Sequence, residues 1–347
     1  MKQYRLFAIY ALVIALGIII LFLPYIVSTN DYAESEDTLK VLTYSSFIKP
    51  WGPGPHIAEL FKEKTGIHIK WINAGNAGLI LERLKFKSSV DRPDVIIGLD
   101  QFSILEARKI MKWQDVHSFQ GKVGDNLLPE GSEFHDFLAY DWGPLSFVYR
   151  EGEVEQPESL DDLLSEKYTS SIILQDPRMS SPGLQFLFWV LHEKGEENAF
   201  KFFDKLKSSI KVMAPSWSSS YSIFKVEKMS MVFSYMTSPY YHLLEENNDS
   251  FRAASFKHPH PVQVEYAGIP RSCVNCDKGK VLLSFLLEPE VQKILMEKNF
   301  MLPVEGAALE GSQFKVPKNI KFFDPVENWS LIRKKKELVD KWKKVFY

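Results

Sequence analysis

Four segments concentrate side chains able to hold a small polar molecule. The first, Tyr44-Ser-Ser-Phe-Ile-Lys-Pro-Trp51-Gly-Pro-Gly-Pro55, holds three prolines and two glycines. It reads as a rigid, irregular loop that displays Tyr44 and Trp51. The second is Gln175-Asp-Pro-Arg-Met-Ser180-Ser181-Pro182-Gly183. Ser181 before Pro182 predicts an N-cap and first-turn proline, and free backbone N–H groups there suit an anion. The third, Pro215-Ser-Trp217-Ser-Ser-Ser-Tyr221, is another serine-rich helix start with a tryptophan. The fourth, Ser234-Tyr235-Met236-Thr237-Ser238-Pro239-Tyr240-Tyr241-His242, repeats the cap-plus-proline pattern. Singly, each Ser-Pro is an ordinary cap and each Trp or Tyr an ordinary packing residue. Together they suit a ligand with a phosphate, drawn to helix N-termini, and a flat or cationic ring, drawn to aromatic faces.

Other clusters offer less. Cys273 and Cys276 are the only cysteines, so a four-cysteine zinc site and a disulfide scaffold are excluded. Their spacing fits a local disulfide or an idle thiol pair. His258-Pro-His260-Pro reads as a surface turn. The sequence contains no Walker motif, G-x-G-x-x-G or H-E-x-x-H, so no ATPase of its own is expected.

These segments need a scaffold. The chain has 347 residues, 45% of them apolar, enough for about two domains. Its 42 basic and 44 acidic residues give a net charge of −2, without the basic excess of a nucleic-acid binder. An uncharged run from Leu6 to Val27 follows Lys2 and Arg5 and precedes Asp31, Glu34, Glu36 and Asp37. It is long enough to span a bilayer, with its basic flank in the cytoplasm. Residues 1–30 are therefore a membrane anchor or a signal, and 31–38 a polar linker.

Beyond it, short β-type runs (40–44, 67–72, 95–97, 146–149, 172–174, 231–234 and 262–267) alternate with helical stretches. The helices fall at 57–64, 79–87, 183–194, 197–207, 219–227, 239–246, 279–287 and 289–298. A last helix follows Asp324, Pro325 and Glu327, which resemble a capping box. The alternation predicts an α/β protein with helices on both faces of parallel or mixed sheets. Its length fits two lobes around a cleft.

WGPGP (51–55), DVIIGLD (94–100), QDPR-x-S-x-PG (175–183), Trp217…Tyr221, SY-x-TSP-x-YH (234–242) and QVE (263–265) occur in order. In these motifs the chain resembles the periplasmic thiamine-binding proteins of bacterial ABC importers, from about Leu39 to the C-terminal helix. The resemblance implies a two-lobe type II periplasmic-binding fold. We expect lobe 1 to cover 39–145 and 262–312, and lobe 2 to cover 146–261 and 313–347. It also implies a non-enzymatic, monomeric receptor, periplasmic or exported; the apolar N-terminal run, which departs from the family's short signal, would tether it to the outer face of the cytoplasmic membrane. That receptor would deliver thiamine or its mono- or diphosphate to a permease and its ATPase, with no cofactor and no metal.

Carried onto this chain, the resemblance has Tyr44 and Trp51 flank the rings, with Asn76 and Ala77 beside them. Ser180 and Ser181 would hold phosphate, and Trp217 would stack on the ligand. Tyr235, Met236, Thr237, Ser238 and Pro239 would contact phosphate and ring. Tyr241 would cover the thiazolium, and Phe300 would approach late in the chain. The chain departs from the family at Gly75-Asn76-Ala77-Gly78, where an acidic residue normally precedes glycine. Asn76 can hydrogen-bond an aminopyrimidine but cannot neutralise a cation; Glu265 and Asp141 are acids that could take that place. Two alternatives compete: a ferric-iron receptor using Tyr240 and Tyr241, and a thiamine-degrading enzyme using Cys273 or Cys276.

If the apolar run is an uncleaved anchor, N-terminal sequencing of protein from native membranes will begin at or near Met1. A start near residues 28–34 would show a cleaved signal instead.

Overall fold

The strand Leu138–Arg150 runs through both halves of the molecule. In the computed structural model, which describes residues 37–85, 92–120, 135–227, 229–304, 306–315, 318 and 320–347, the strands are β1 (Thr38–Thr43), β2 (His68–Asn73), β3 (Val95–Asp100), β4 (Leu138–Arg150), β5 (Ile172–Gln175), β6 (Ile210–Ala214), β7 (Met231–Tyr235), β8 (Phe251–Ala253), β9 (His260–Gly268), β10 (Leu302–Pro303) and β11 (Phe322–Phe323). Their main order is β2-β1-β3-β9-β4-β7-β5-β6. The run Leu6–Val27 and residues 31–36 of the linker lie outside the described residues. Among the described residues, no helix is long and apolar enough to cross a membrane.

β4 pairs with β9 from Leu138 to Pro144 and with β7 from Leu145 to Tyr149, antiparallel in both cases. The change of partner falls at Pro144. Proline has no N–H to give a ladder, so it suits a point where one pairing ends and another begins. Its carbonyl takes the Met236 N–H at 2.8 Å, on the second side. Short-run alternation revealed only the second half of β4.

Each half has its own core. One gathers Phe47, Phe61, Ile96, Phe137, Tyr140, Leu282 and Leu286. The other gathers Phe147, Phe186, Trp189, Phe203, Phe233 and Trp342. Parallel pairs β1–β3 and β5–β6 lie within the two halves, with helices between their strands. The result is the expected two-lobe α/β fold.

His260 fastens the crossover. Its Nδ1 faces the Leu145 carbonyl at 2.9 Å, and its Nε2 accepts the Phe256 N–H at 3.0 Å. Those partners place the ring proton on Nδ1. Burial pushes its pKa down to about 4, against a smaller upward pull from the Leu145 carbonyl. Of the surface turn expected here, His258 does lie in an exposed bend, whereas His260 is a fully buried strand start.

Several boundaries differ from expectation. The first helix begins at Pro53, because proline is tolerated in a first turn. Gly52 makes that possible: a Cβ there would lie 2.2 Å from the Ser46 carbonyl oxygen. The two helices expected at 183–194 and 197–207 are present within Ser181–Leu206, separated at Gly195, whose φ of 71° and ψ of 164° are not helical. The C-terminal helix is broken. The capping box forms, with Asp324 Oδ1 accepting from Val326 N at 3.0 Å and Glu327 Oε1 from Asp324 N at 3.3 Å. It opens only the short turn Pro325–Glu327, because Asn328 then caps a new helix, Trp329–Arg333, before Lys335–Phe346.

Candidate functional site

Strands β1, β2, β5, β6 and β7 each end in a segment that walls one cleft. In order these are Tyr44–Ser46, Gly75–Ala77, Met179–Pro182, Ser216–Ser218 and Tyr235. Open α/β sheets bind ligands beyond their strands' carboxyl ends for the same geometric reason. Gln263 and Glu265 of β9, with Asn299 and Met301, complete the inner cavity of about 70 Å³. A second cavity of about 400 Å³ shares Trp217 and Ser218 and is lined by Trp51, Tyr221, Ser222, Lys225, Ser238, Tyr241, Glu245, Lys298 and Phe300. The lobes touch across the cleft. Asn76 Nδ2 donates to the Pro215 carbonyl at 3.3 Å, and a Cβ on Gly78 would lie 2.7 Å from the Met179 carbonyl oxygen.

Part of the inner cavity's lining offers donors. Ser180, one residue earlier than predicted, is the N-cap of Ser181–Leu206, and Pro182 occupies the first turn. The first helical N–H to find a backbone acceptor is that of Leu184, on Ser180 O at 3.0 Å, so the N–H groups of Ser181 and Gly183 precede the helical ladder. Ser180 Oγ has no partner within the protein although the residue is only 6% exposed. Gly183 lets this helix start press onto β5, since a Cβ there would meet Gln175 O at 2.4 Å. The neighbouring helix start at Ser216 is closed upon itself: Ser216 and Ser219 form a reciprocal capping box.

Aromatic side chains line both the inner and the outer cavity. Trp217 stacks on Tyr221 at 5.2 Å, with Tyr235 at 6.2 Å. Its Nε1–H donates to Ser234 Oγ at 2.8 Å, and Ser234 Oγ lies 2.8 Å from Ser238 Oγ. Tyr221 is held in turn by His242 Nε2 at 2.9 Å, and His242 Nδ1 by Glu246 at 2.6 Å. Tyr241 meets the edge of Phe300 at 5.3 Å, and its hydroxyl accepts from Lys225 Nζ at 2.5 Å. Phe300 has φ of 54°, a left-handed conformation rare for a bulky residue. The Thr237 hydroxyl donates to its carbonyl at 2.5 Å and holds it there.

The structure thus brings Tyr44, Asn76, Ala77, Ser180, Ser181, Trp217 and Tyr235 to the inner cavity, and Trp51, Ser238, Tyr241 and Phe300 to the outer one. Trp51 stands at the rim, 53% exposed. Met236, Thr237 and Pro239 line neither cavity: the Met236 N–H is used by Pro144, and the Thr237 hydroxyl by Phe300.

The inner cavity also has an acid in its lining, Glu265, with Asp141 beside it on β4. Glu265 Oε2 accepts from Tyr44 at 2.8 Å and Tyr140 at 2.6 Å, and its Oε1 from Gln263 Nε2 at 3.2 Å. Asp141 Oδ2 accepts from Asn299 Nδ2 at 2.8 Å. Burial, and then the charge of Glu265, holds the Asp141 carboxyl well above its usual range. Burial likewise raises Glu265, against the hydrogen bonds from Tyr140 and Tyr44. Glu265 was readable as a candidate acid. Gln263 was readable only as its neighbour two positions back, on the same face of a strand. Asn299 and Met301 carried no local signal.

The rival chemistries lose their residues. Cys273 and Cys276 are joined in a disulfide and line neither cavity, so no thiol nucleophile faces the cleft. The Tyr240 hydroxyl accepts the Lys315 N–H at 3.0 Å, while Tyr241 pairs with Lys225, so the two hydroxyls do not share a site. Among the described residues, no group of three or more His, Cys, Asp or Glu side chains could hold a metal ion.

Two α/β lobes joined by crossover strands, with a cleft at the strand ends, define a type II periplasmic solute receptor. Residues 91–332 match the family described as bacterial extracellular solute-binding protein, and the chain belongs to it. It is 32% identical over 273 residues to a thiamine-binding periplasmic protein of Brucella suis, covering 78% of this chain and 80% of that one. It is 31% identical over 290 residues to the protein of the same name from Salmonella typhimurium, covering 83% and 87%. Among solved structures, a periplasmic thiamin binding protein superposes with a TM-score of 0.78 at 28% identity, covering 89% of this chain and 96% of that chain. An iron-bound protein from Pseudomonas aeruginosa, at 16% identity and a TM-score of 0.72, shares the fold.

Tyr44 rests on Gly98, whose φ is 96° and whose added Cβ would lie 2.3 Å from the Tyr44 ring. Gly98→Ala should therefore cost about 2–4 kcal/mol in backbone strain and overpacking. Urea denaturation measures it; an unchanged midpoint would show that Tyr44 does not depend on that contact.

Proposed function

We propose that the chain is the binding component of an ABC importer, taking thiamine or its mono- or diphosphate into the cleft and delivering it to a membrane permease and its ATPase. The observation that carries this reading is the polarity of the inner cavity. Its lining combines a helix N-terminus with an unpartnered serine, carboxylate and amide acceptors, and aromatic rings. Thiamine phosphates carry a counterpart for each of these, with an anionic tail, a cationic thiazolium and a flat aminopyrimidine donor. The names of the most similar relatives support the same ligand.

In this reading the protein works in the periplasm or another exported compartment as a monomer, held to the outer face of the cytoplasmic membrane by residues 1–30. It binds its ligand and does not transform it. Lobe 1 comprises 39–145 and 262–312, and lobe 2 comprises 146–261 and 313–347. The contacts of Asn76 with Pro215 and of Gly78 with Met179 belong to the closed state, the form in which a permease would meet both lobes in register.

Tryptophan-fluorescence titration with thiamine, its monophosphate, its diphosphate and ferric citrate tests the proposal. The three thiamine compounds should give saturable changes and ferric citrate none. Trp217→Ala should weaken thiamine binding by about 1–3 kcal/mol through lost stacking and cation–π attraction. Saturation by ferric citrate alone, or no response to any thiamine compound, would overturn it.

A further inference from the structure

Asp100 of β3, Glu265 of β9 and Asp141 of β4 lie directly opposite one another across three neighbouring strands. All three are buried. Like charges in register destabilise a sheet, and burying a carboxylate without a counter-charge costs more still. The groups that face Glu265 come from five elements: Tyr44 beyond β1, Tyr140 and Asp141 of β4, Tyr235 of β7, Asp100 of β3, and Gln263 on its own strand. Asn299 faces Asp141. None is a cation, and among the described residues no Lys, Arg or His pairs with Glu265 or Asp141. A second observation points to a ligand. Gln263 lines the cavity beside Glu265, is 2% exposed, and its Oε1 has no partner within the protein. Asp141 Oδ1 is likewise unpartnered.

We propose that Glu265 is the counter-ion that selects a positively charged ligand ring, with Asp141 and Asp100 on the strands either side of it, so that the Glu265–Asp141 pair carries full charge only when that ring is in place. This rests on the thiamine reading and specifies which protein group answers the thiazolium charge. Burial raises both Glu265 and Asp141, consistent with a proton retained by the pair in the empty cleft. On binding, that proton leaves to solvent and the ligand's fixed positive charge takes its place. Asn76 then need not supply the charge, because the acid is provided from the crossover strand.

The test compares thiamine with its neutral thiophene isostere, in which carbon replaces the ring nitrogen, by calorimetry at fixed salt in two buffers of different ionisation heat. The native protein should bind thiamine about tenfold or more tightly than the isostere, the scale of one close charge pair, with net proton release for thiamine only. Glu265→Gln, which keeps the shape of the side chain, should narrow that preference, and Asp141→Asn should reduce the proton release. Equal affinities of the native protein for the two compounds would overturn the assignment and need no variant to fold. A preference that survives in folded Glu265→Gln would overturn it as well. Binding of neither compound would overturn the thiamine reading itself, and this assignment with it.

Discussion

β4 has to serve two sheets, and the rest of the molecule is arranged around that requirement. Its first half is laddered to β9 and its second to β7, with Pro144 at the changeover. Because the strand is continuous, each lobe's core is anchored to the same backbone, and any relative movement of the lobes must bend near residues 144 and 145. His260 reinforces the junction from the start of β9 through Leu145 and Phe256. Neutral imidazole is needed there, since one nitrogen donates while the other accepts. Its pKa, lowered to about 4, is the counterpart of that geometry.

The cleft inherits its chemistry from this arrangement. Crossover strands run along its floor, so residues on β4 and β9 face both lobes and are shielded by both. Glu265 and Asp141 lie there, where desolvation is strongest and a counter-charge is worth most. Another part of the lining is made by a helix start, with Ser180 and Ser181. The aromatic wall is fixed by hydrogen bonds that run away from the cavity: Trp217 to Ser234, Tyr221 to His242, His242 to Glu246. These rings are held before any ligand arrives, which reduces the ordering that binding must supply.

Much of this was legible in the sequence because strand-to-helix junctions carry local signals. Ser181-Pro182, Trp217 among serines, and Thr237-Ser238-Pro239 announced helix starts, and each is one. What local pattern could not give was which hydroxyl stays free. Ser180 keeps its hydroxyl unpartnered, while Thr237 spends its own on Phe300 and Ser238 is tied to Ser234. Those outcomes depend on contacts with residues far along the chain. The helix Gln101–Ile110 was missed because it follows β3 directly, with no Gly or Pro between them, and is capped by Asp100, the last residue of the strand. The first half of β4 was missed because Leu138-Ala-Tyr-Asp-Trp-Gly is buried on both faces and shows no alternation. The acidic row was visible only as three separate acids; register across three strands put them side by side.

The central claim is that the cleft has a cationic-ligand end at Glu265 and an anionic-ligand end at Ser180 and Ser181. A crystal structure of the complex with thiamine diphosphate measures it most directly. The account predicts the thiazolium ring beside Glu265, with phosphate oxygens on the first turn of the Ser181–Leu206 helix. A diphosphate directed at Glu265, or a ligand seated outside the cleft, would contradict it.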